Sequence, residues 1–90
     1  MLTARRFLVS GRVQGVGFRF YVHDAARREG VRGWVRNLPD GRVEAFVEGE
    51  LEAVDRLEHK IRRGPSAARV QQVDVIPDLP AGDHKEFEIR

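Results

Sequence analysis

The chain has no cysteine. That excludes disulfides, zinc sites built on thiolates, and a thiol nucleophile. Long apolar runs are also missing, and none approaches the roughly 20 residues a helix needs to cross a bilayer. Residues 1–6 lack the apolar core of a secretory signal, so the expected location is the cytoplasm. Lysine is scarce, with 2 residues against 14 arginines. Arginine presents a rigid fork of donors suited to phosphate or carboxylate. The net charge is only +2 with a pI near 9.7, and acidic residues are interspersed with basic ones. No single-sign tail or stripe marks a polyanion partner. Glycine and proline are scattered, and 41% of residues are apolar, as in a folded globular protein. Ninety residues leave room for one hydrophobic core, so a single domain over 1–90 is expected.

Periodicity orders the elements. Phe7, Val9, Gly11 and Val13 alternate with Leu8, Ser10 and Arg12, which predicts a strand buried mainly on one face. Gln14-Gly15-Val16-Gly17 breaks that strand. From Phe18, the residues Tyr21, Val22, Ala25 and Ala26 share one helical face; Phe20 is left on the polar side, and Gly30 is a stop. Val31–Leu38 and Arg42–Glu48 read as strands joined by the hairpin signal Pro39-Asp40-Gly41. In the second of these strands Val43, Ala45 and Val47 face one way, Glu44 and Glu48 the other. A second amphipathic helix covers Glu50–Arg63, with Leu51, Val54, Leu57 and Ile61 on its apolar arc and Gly64-Pro65 as terminator. A further strand covers about Ala68–Ile76, with a phase shift between Val70 and Val73 that predicts a bulge. Pro77, Pro80 and Gly82 predict a loop, and Lys85–Arg90 a short last strand. The order β-α-β-β-α-β predicts an α+β, ferredoxin-like sandwich, an antiparallel sheet with two helices on one face.

The segment Gln14-Gly15-Val16-Gly17-Phe18-Arg19 combines three features that suit a phosphate. Its glycines allow backbone conformations that turn successive N–H groups toward one point. It opens directly into a helix N-terminus, where free N–H groups and the helix dipole favour an anion. Arg19 adds a permanent forked cation. A tight strand-to-helix turn with a surface arginine would have the same glycines. Other phosphate motifs do not fit: position 20 is Phe20 and not the third glycine of a dinucleotide fingerprint, and no Gly-Lys-Ser/Thr occurs.

Two longer motifs add to this. Val9-Ser10-Gly11-Arg12-Val13-Gln14-Gly15-Val16-Gly17-Phe18-Arg19 is followed by Gly33-Trp34-Val35-Arg36-Asn37, then Gly41-Arg42-Val43 and Gly49. In these motifs, in element order and in its closing Phe87-Glu88-Ile89-Arg90, the chain resembles the acylphosphatases over its whole length. The resemblance implies hydrolysis of the carboxyl–phosphate bond of acylphosphates. It implies that the backbone of Gln14, Gly15, Val16, Gly17, Phe18 and Arg19, with the Arg19 guanidinium, binds phosphate. It assigns Asn37 to the attacking water. No cofactor and no metal are implied, and the partners are an acylphosphate substrate and inorganic phosphate as product and inhibitor. A domain of this size can work alone, so a monomer is expected, and no membrane partner.

Other residues point elsewhere less specifically. His23 lies one turn beyond Arg19 and could overhang the phosphate, or be a solvated helix residue. His23, His59 and His84 are dispersed, and with no cysteine a metal site is not expected. Ser10 has no recognisable base, which argues against a serine nucleophile. Asp24 is expected in a surface ion pair, and Arg5-Arg6, Arg27-Arg28 and Arg62-Arg63 on solvated faces. The alternative to an enzyme is a non-catalytic ferredoxin-like module that binds an anion or RNA. Arg32-Gly33-Trp34 is faintly similar to the start of an RNA-recognition motif, but Arg36-Asn37-Leu38 then replaces its aromatic positions, so nucleic acid is not the expected partner.

Overall fold

The computed structural model describes all 90 residues. Its elements are β1 (Leu2–Arg12), α1 (Phe18–Glu29), β2 (Arg32–Asn37), β3 (Val43–Glu50), α2 (Leu51–Arg63), β4 (Arg69–Asp78) and β5 (Phe87–Ile89). The five strands form one sheet in the order β4-β1-β3-β2-β5, with both helices packed on one face. Between helices and sheet lies a continuous core, centred on Phe7, Val9, Phe18, Val35, Leu57 and Ile61. This is the predicted ferredoxin-like α+β sandwich.

The sheet differs from the expectation at one edge. The pairs β1–β3, β1–β4 and β2–β3 are antiparallel, whereas β5 lies parallel to β2, with Gly33 opposite Phe87. The sheet is therefore mixed. After β4 the chain crosses to the far edge and runs back, which sets it along the direction of β2. The predicted bulge is present: β1 passes from Ser10 to Gly11 while β4 passes from Gln72 to Val70, so Gln71 is the extra residue.

Two strands are longer than their apolar pattern. β1 begins at Leu2 because Arg5, on the helix-facing side, is satisfied by α2: its guanidinium donates to Asp55 at 2.7 Å and Glu58 at 2.9 Å. Arg5 is thus part of the packing between sheet and helix and not a solvated residue. β4 continues through Pro77 because it is an edge strand, where a missing N–H costs no ladder bond. In α2 the buried positions are Ala53, Val54, Leu57 and Ile61, with Leu51 only partly covered at the first turn.

The sheet face away from the helices is not bare. Glu44, Phe46 and Glu48 of β3 point to that side, yet all three are buried. Arg36 pairs with Glu44 at 2.7 Å, and Trp34 stacks on Phe46 with the Arg36 and Arg90 guanidiniums within 5.2 Å of its ring. Asp24 is in the expected surface pair, 3.2 Å from Arg28.

Candidate active site

Strand β1 delivers the chain to a loop that opens directly into α1. Gly15 has φ 73° and Gly17 φ 77°, in the left-handed region that side chains disfavour. A Cβ at either position would meet nothing within 4 Å, so these glycines serve backbone shape and leave open space in front of the loop. Gly17 caps α1, and the first helical bond runs from the Tyr21 N–H to the Gly17 carbonyl at 3.0 Å. No side chain caps this end and no acidic residue sits in the first turn. The N–H groups of that turn and the positive end of the helix dipole are thus available to an anion.

The hairpin between β2 and β3 meets this loop. Gln14 makes the join: its side-chain amide donates to the Leu38 carbonyl at 2.8 Å and the Arg42 carbonyl at 2.9 Å. The hairpin is also tied within itself. The Leu38 N–H donates to the Arg42 carbonyl at 2.8 Å, and Asp40 accepts from the Arg42 N–H at 3.1 Å and its Nε at 2.8 Å. The Arg42 N–H, reinforced by the Arg42 guanidinium, holds the exposed Asp40 carboxyl below its ordinary pKa.

Between loop and hairpin lies a hollow of about 170 Å³ lined by Val13, Gly15, Gly17, Phe18, Arg19, Phe20 and Asn37. Arg19 and Asn37, far apart in sequence, share it. The Asn37 Oδ1 is buried and has no hydrogen-bond partner, so it can accept from a bound water or ligand. Arg19 is half-buried, and its guanidinium makes one long contact, 3.5 Å to the backbone oxygen of Arg90. Larger hollows exist elsewhere, one of about 290 Å³ between α1 and α2, but it is lined mainly by charged surface side chains such as Asp24, Arg28 and Lys60. The smaller hollow alone combines glycine backbone, a helix N-terminus, an arginine and a buried amide.

Of the six predicted loop residues, Gly15, Gly17, Phe18 and Arg19 line the hollow. Val16 packs against the core and Gln14 turns its side chain to the hairpin. The anchoring role of Gln14 was not read from the sequence, because no local pattern shows that a loop amide will meet two carbonyls of a distant hairpin. His23 lies outside the hollow, its ring 6.2 Å from that of Phe87. Phe20, 67% exposed, sits on the rim, which explains an aromatic on the polar side of α1.

The family model "Acylphosphatase" matches residues 5–89. An acylphosphatase of Anaeromyxobacter dehalogenans is 61% identical over 85 residues, covering 94% of this chain and 91% of the relative. An acylphosphatase of Nitrosococcus oceani is 56% identical with both chains fully covered. The crystal structure of acylphosphatase from Bacillus subtilis superposes with a TM-score of 0.94 at 37% identity, covering 100% of this chain and 99% of that one. Matched along almost its whole length in both sequence and fold, the chain belongs to the acylphosphatase family.

Proposed function

We propose that the hollow between the Gln14–Arg19 loop and Asn37 is where this chain cleaves its substrate. Membership of the acylphosphatase family makes the chain a hydrolase of acylphosphates, yielding a carboxylate and inorganic phosphate. In our reading the phosphoryl oxygens rest on the N–H groups of the loop and first helical turn, with the Arg19 guanidinium closing over them. The Asn37 Oδ1 accepts a hydrogen bond from the attacking water. The observation that carries this reading is that buried, unpartnered oxygen, in the same hollow as Arg19.

The chemistry asks for little more. Water oxygen bonds to phosphorus as the bond from phosphorus to the carboxyl oxygen breaks, and the electron pair leaves on the carboxylate. Carboxylic acids have pKa values of about 4, so the leaving group departs without a proton. A phosphate oxygen takes the proton that the water loses. Phosphoryl transfer then depends mainly on positioning and on balancing charge over the equatorial oxygens, which the amides and Arg19 supply without a metal. A neutral amide at position 37 can orient water without repelling the phosphate dianion, as a carboxylate would. The same proposal has the enzyme working as a cytoplasmic monomer: a chain without cysteine does not depend on an oxidising compartment, and every group named lies within one copy.

Benzoyl phosphate hydrolysis tests it, with inhibition by inorganic phosphate and no effect of a chelator as the expected behaviour. Arg19→Ala is expected to lower kcat/KM by about 100- to 1,000-fold, the scale set by loss of one oxyanion donor. Asn37→Ala should lower kcat sharply while leaving the inhibition constant of inorganic phosphate almost unchanged. Near-normal turnover in Arg19→Ala would overturn the assignment, and equal loss of turnover and phosphate binding in Asn37→Ala would move that residue to ligand binding.

A further inference from the structure

Leaving β4 at one edge of the sheet and joining β5 at the other, the segment 79–86 crosses the face opposite the helices. It covers β3 as it passes, with the His84 ring 5.4 Å from that of Phe46. Beneath it Glu48 is completely buried. Glu48 Oε2 accepts the Gly82 N–H at 3.2 Å, but Oε1 is buried with no partner. Glu44, on the same face, is paired with Arg36 at 2.7 Å; Glu48 sits opposite Arg32 in the β2–β3 register, but neither Arg32 nor any hydrogen-bond donor reaches its Oε1. A buried carboxylate oxygen that accepts no hydrogen bond is costly.

The groups facing it are donors to a cation. A carboxylate oxygen of Glu48, one of Asp83 and a ring nitrogen of His84 all lie within 4.8 Å of one another, and His84 Nε2 is 3.7 Å from Asp83 Oδ1. We propose that Glu48, Asp83 and His84 bind a divalent first-row transition-metal ion of the Zn²⁺ type, which clamps the 79–86 segment onto the sheet. One imidazole and two carboxylates suit such an ion better than Ca²⁺ or Mg²⁺, which want a shell of oxygens. Tetrahedral bonds of about 2.0–2.2 Å place ligands roughly 3.3–3.5 Å apart, so the cluster must contract. Asp83, with an 81% exposed side chain on the loop, is free to make that movement, while Glu48 is fixed in the sheet and His84 rests on Phe46. The Gly82 N–H already orients the Glu48 carboxylate, as an outer-shell partner does.

The site is structural. Glu48 lies five residues along β3 from Val43, the partner of Asn37, or roughly 17 Å at strand rise, and on the opposite face. Hydrolysis in the hollow therefore does not depend on it, nor does the metal site depend on the proposed function.

The test uses chelator-treated protein titrated with Zn²⁺, followed by Tm, and with Co²⁺, followed by its visible absorption. One equivalent should bind at micromolar concentration, and a hundredfold excess over Kd should raise Tm by about 10 °C or more. Glu48→Gln and His84→Ala should abolish the response and Asp83→Asn should weaken it at least tenfold; His23→Ala and His59→Ala should behave as the parent chain. Because Asp83 is exposed, its variant keeps the test valid if a change at Glu48 prevents folding. Equal responses in the parent chain and Asp83→Asn, no response, or one confined to millimolar metal (an adventitious ion only) would overturn the site. Benzoyl phosphate hydrolysis should be the same with and without metal, so absence of that activity in both forms of a metal-binding protein would count against the proposed function alone.

Discussion

Replacing Gln14 by alanine should separate the two halves of the proposed active site. The Gln14 amide donates two hydrogen bonds, at 2.8 and 2.9 Å, to the hairpin that ends β2 at Asn37. Each acceptor keeps another partner: the Gly41 N–H reaches the Leu38 carbonyl at 3.2 Å and the Leu38 N–H reaches the Arg42 carbonyl at 2.8 Å. The loss is therefore of net hydrogen-bond energy and not of a carbonyl stranded without a donor. At about 0.5–1.5 kcal/mol per bond, Gln14→Ala should cost roughly 2 kcal/mol of stability. Urea unfolding would show this as a lower midpoint at unchanged slope. Turnover should suffer separately, because the loop and Asn37 are no longer held at a fixed spacing; a misplacement of about 1 Å can cost 100-fold, so kcat should fall about 10- to 100-fold. Phosphate inhibition should move less, since the loop amides and Arg19 are intact. Gln14→Glu should be worse than alanine, because it sets a carboxylate against two carbonyl oxygens. Normal kcat at the expected stability loss would show that loop and hairpin are aligned without this tie, and would refute the reasoning.

Gly17→Ala should cost about 1–2 kcal/mol by forcing a side chain into the left-handed region, with no steric clash, and urea unfolding would measure it. Arg5→Ala should destabilise by about 1–3 kcal/mol, since its side chain, 19% exposed, joins β1 to two acids of α2, whereas Arg28→Ala, in an exposed pair, should change stability by less than about 0.5 kcal/mol. Asp40 titrates below its ordinary 3.8 in the folded chain, so its contribution is complete above that pH and is lost as pH falls through the lower folded value. The stability difference between the parent chain and Asp40→Asn should therefore shrink on acidification below about pH 4 and be flat from pH 5 to 8; a difference that grew toward acid would contradict the assignment.

Much of the fold was legible because the core repeats at the period of its elements. Phe7 and Val9 alternate, Val54, Leu57 and Ile61 recur at helical spacing, and Asp40-Gly41 marks the hairpin. Side-chain alternation reports which face is buried but not which neighbour a strand takes, so the parallel pairing of β5 with β2 was not visible. The start of β1 was hidden for a different reason. Arg5 occupies a helix-facing position where an apolar residue would have signalled a strand, and its partners lie some fifty residues away. Alternation set Glu44 and Glu48 opposite the apolar face of β3 but could not show that they are buried, because Arg36 lies over Glu44 from another strand and the segment that covers Glu48 has no periodicity. In the candidate site the glycine turn, Arg19 and Asn37 were legible as types of residue; their sharing of one hollow, and the Gln14 bonds that join loop and hairpin, are tertiary.

The sheet has its two ends and two faces put to different uses. On the helix side, at the end where β2 stops, a left-handed glycine turn, an uncapped helix and an unpartnered Asn37 oxygen leave polar groups waiting for a partner. That arrangement costs stability in the free protein, and a tetrahedral oxyanion can satisfy several of these groups at once. On the other side, at the opposite end, the unpartnered Glu48 oxygen sits under a strap, away from any group that could join in phosphoryl transfer. In the two proposals the orphaned oxygens serve ligands of opposite charge. An amide oxygen beside a helix N-terminus can accept from water next to an anion, whereas a carboxylate beside an aspartate and a histidine suits a cation. The position of each within the fold, and not the mere lack of a partner, decides which.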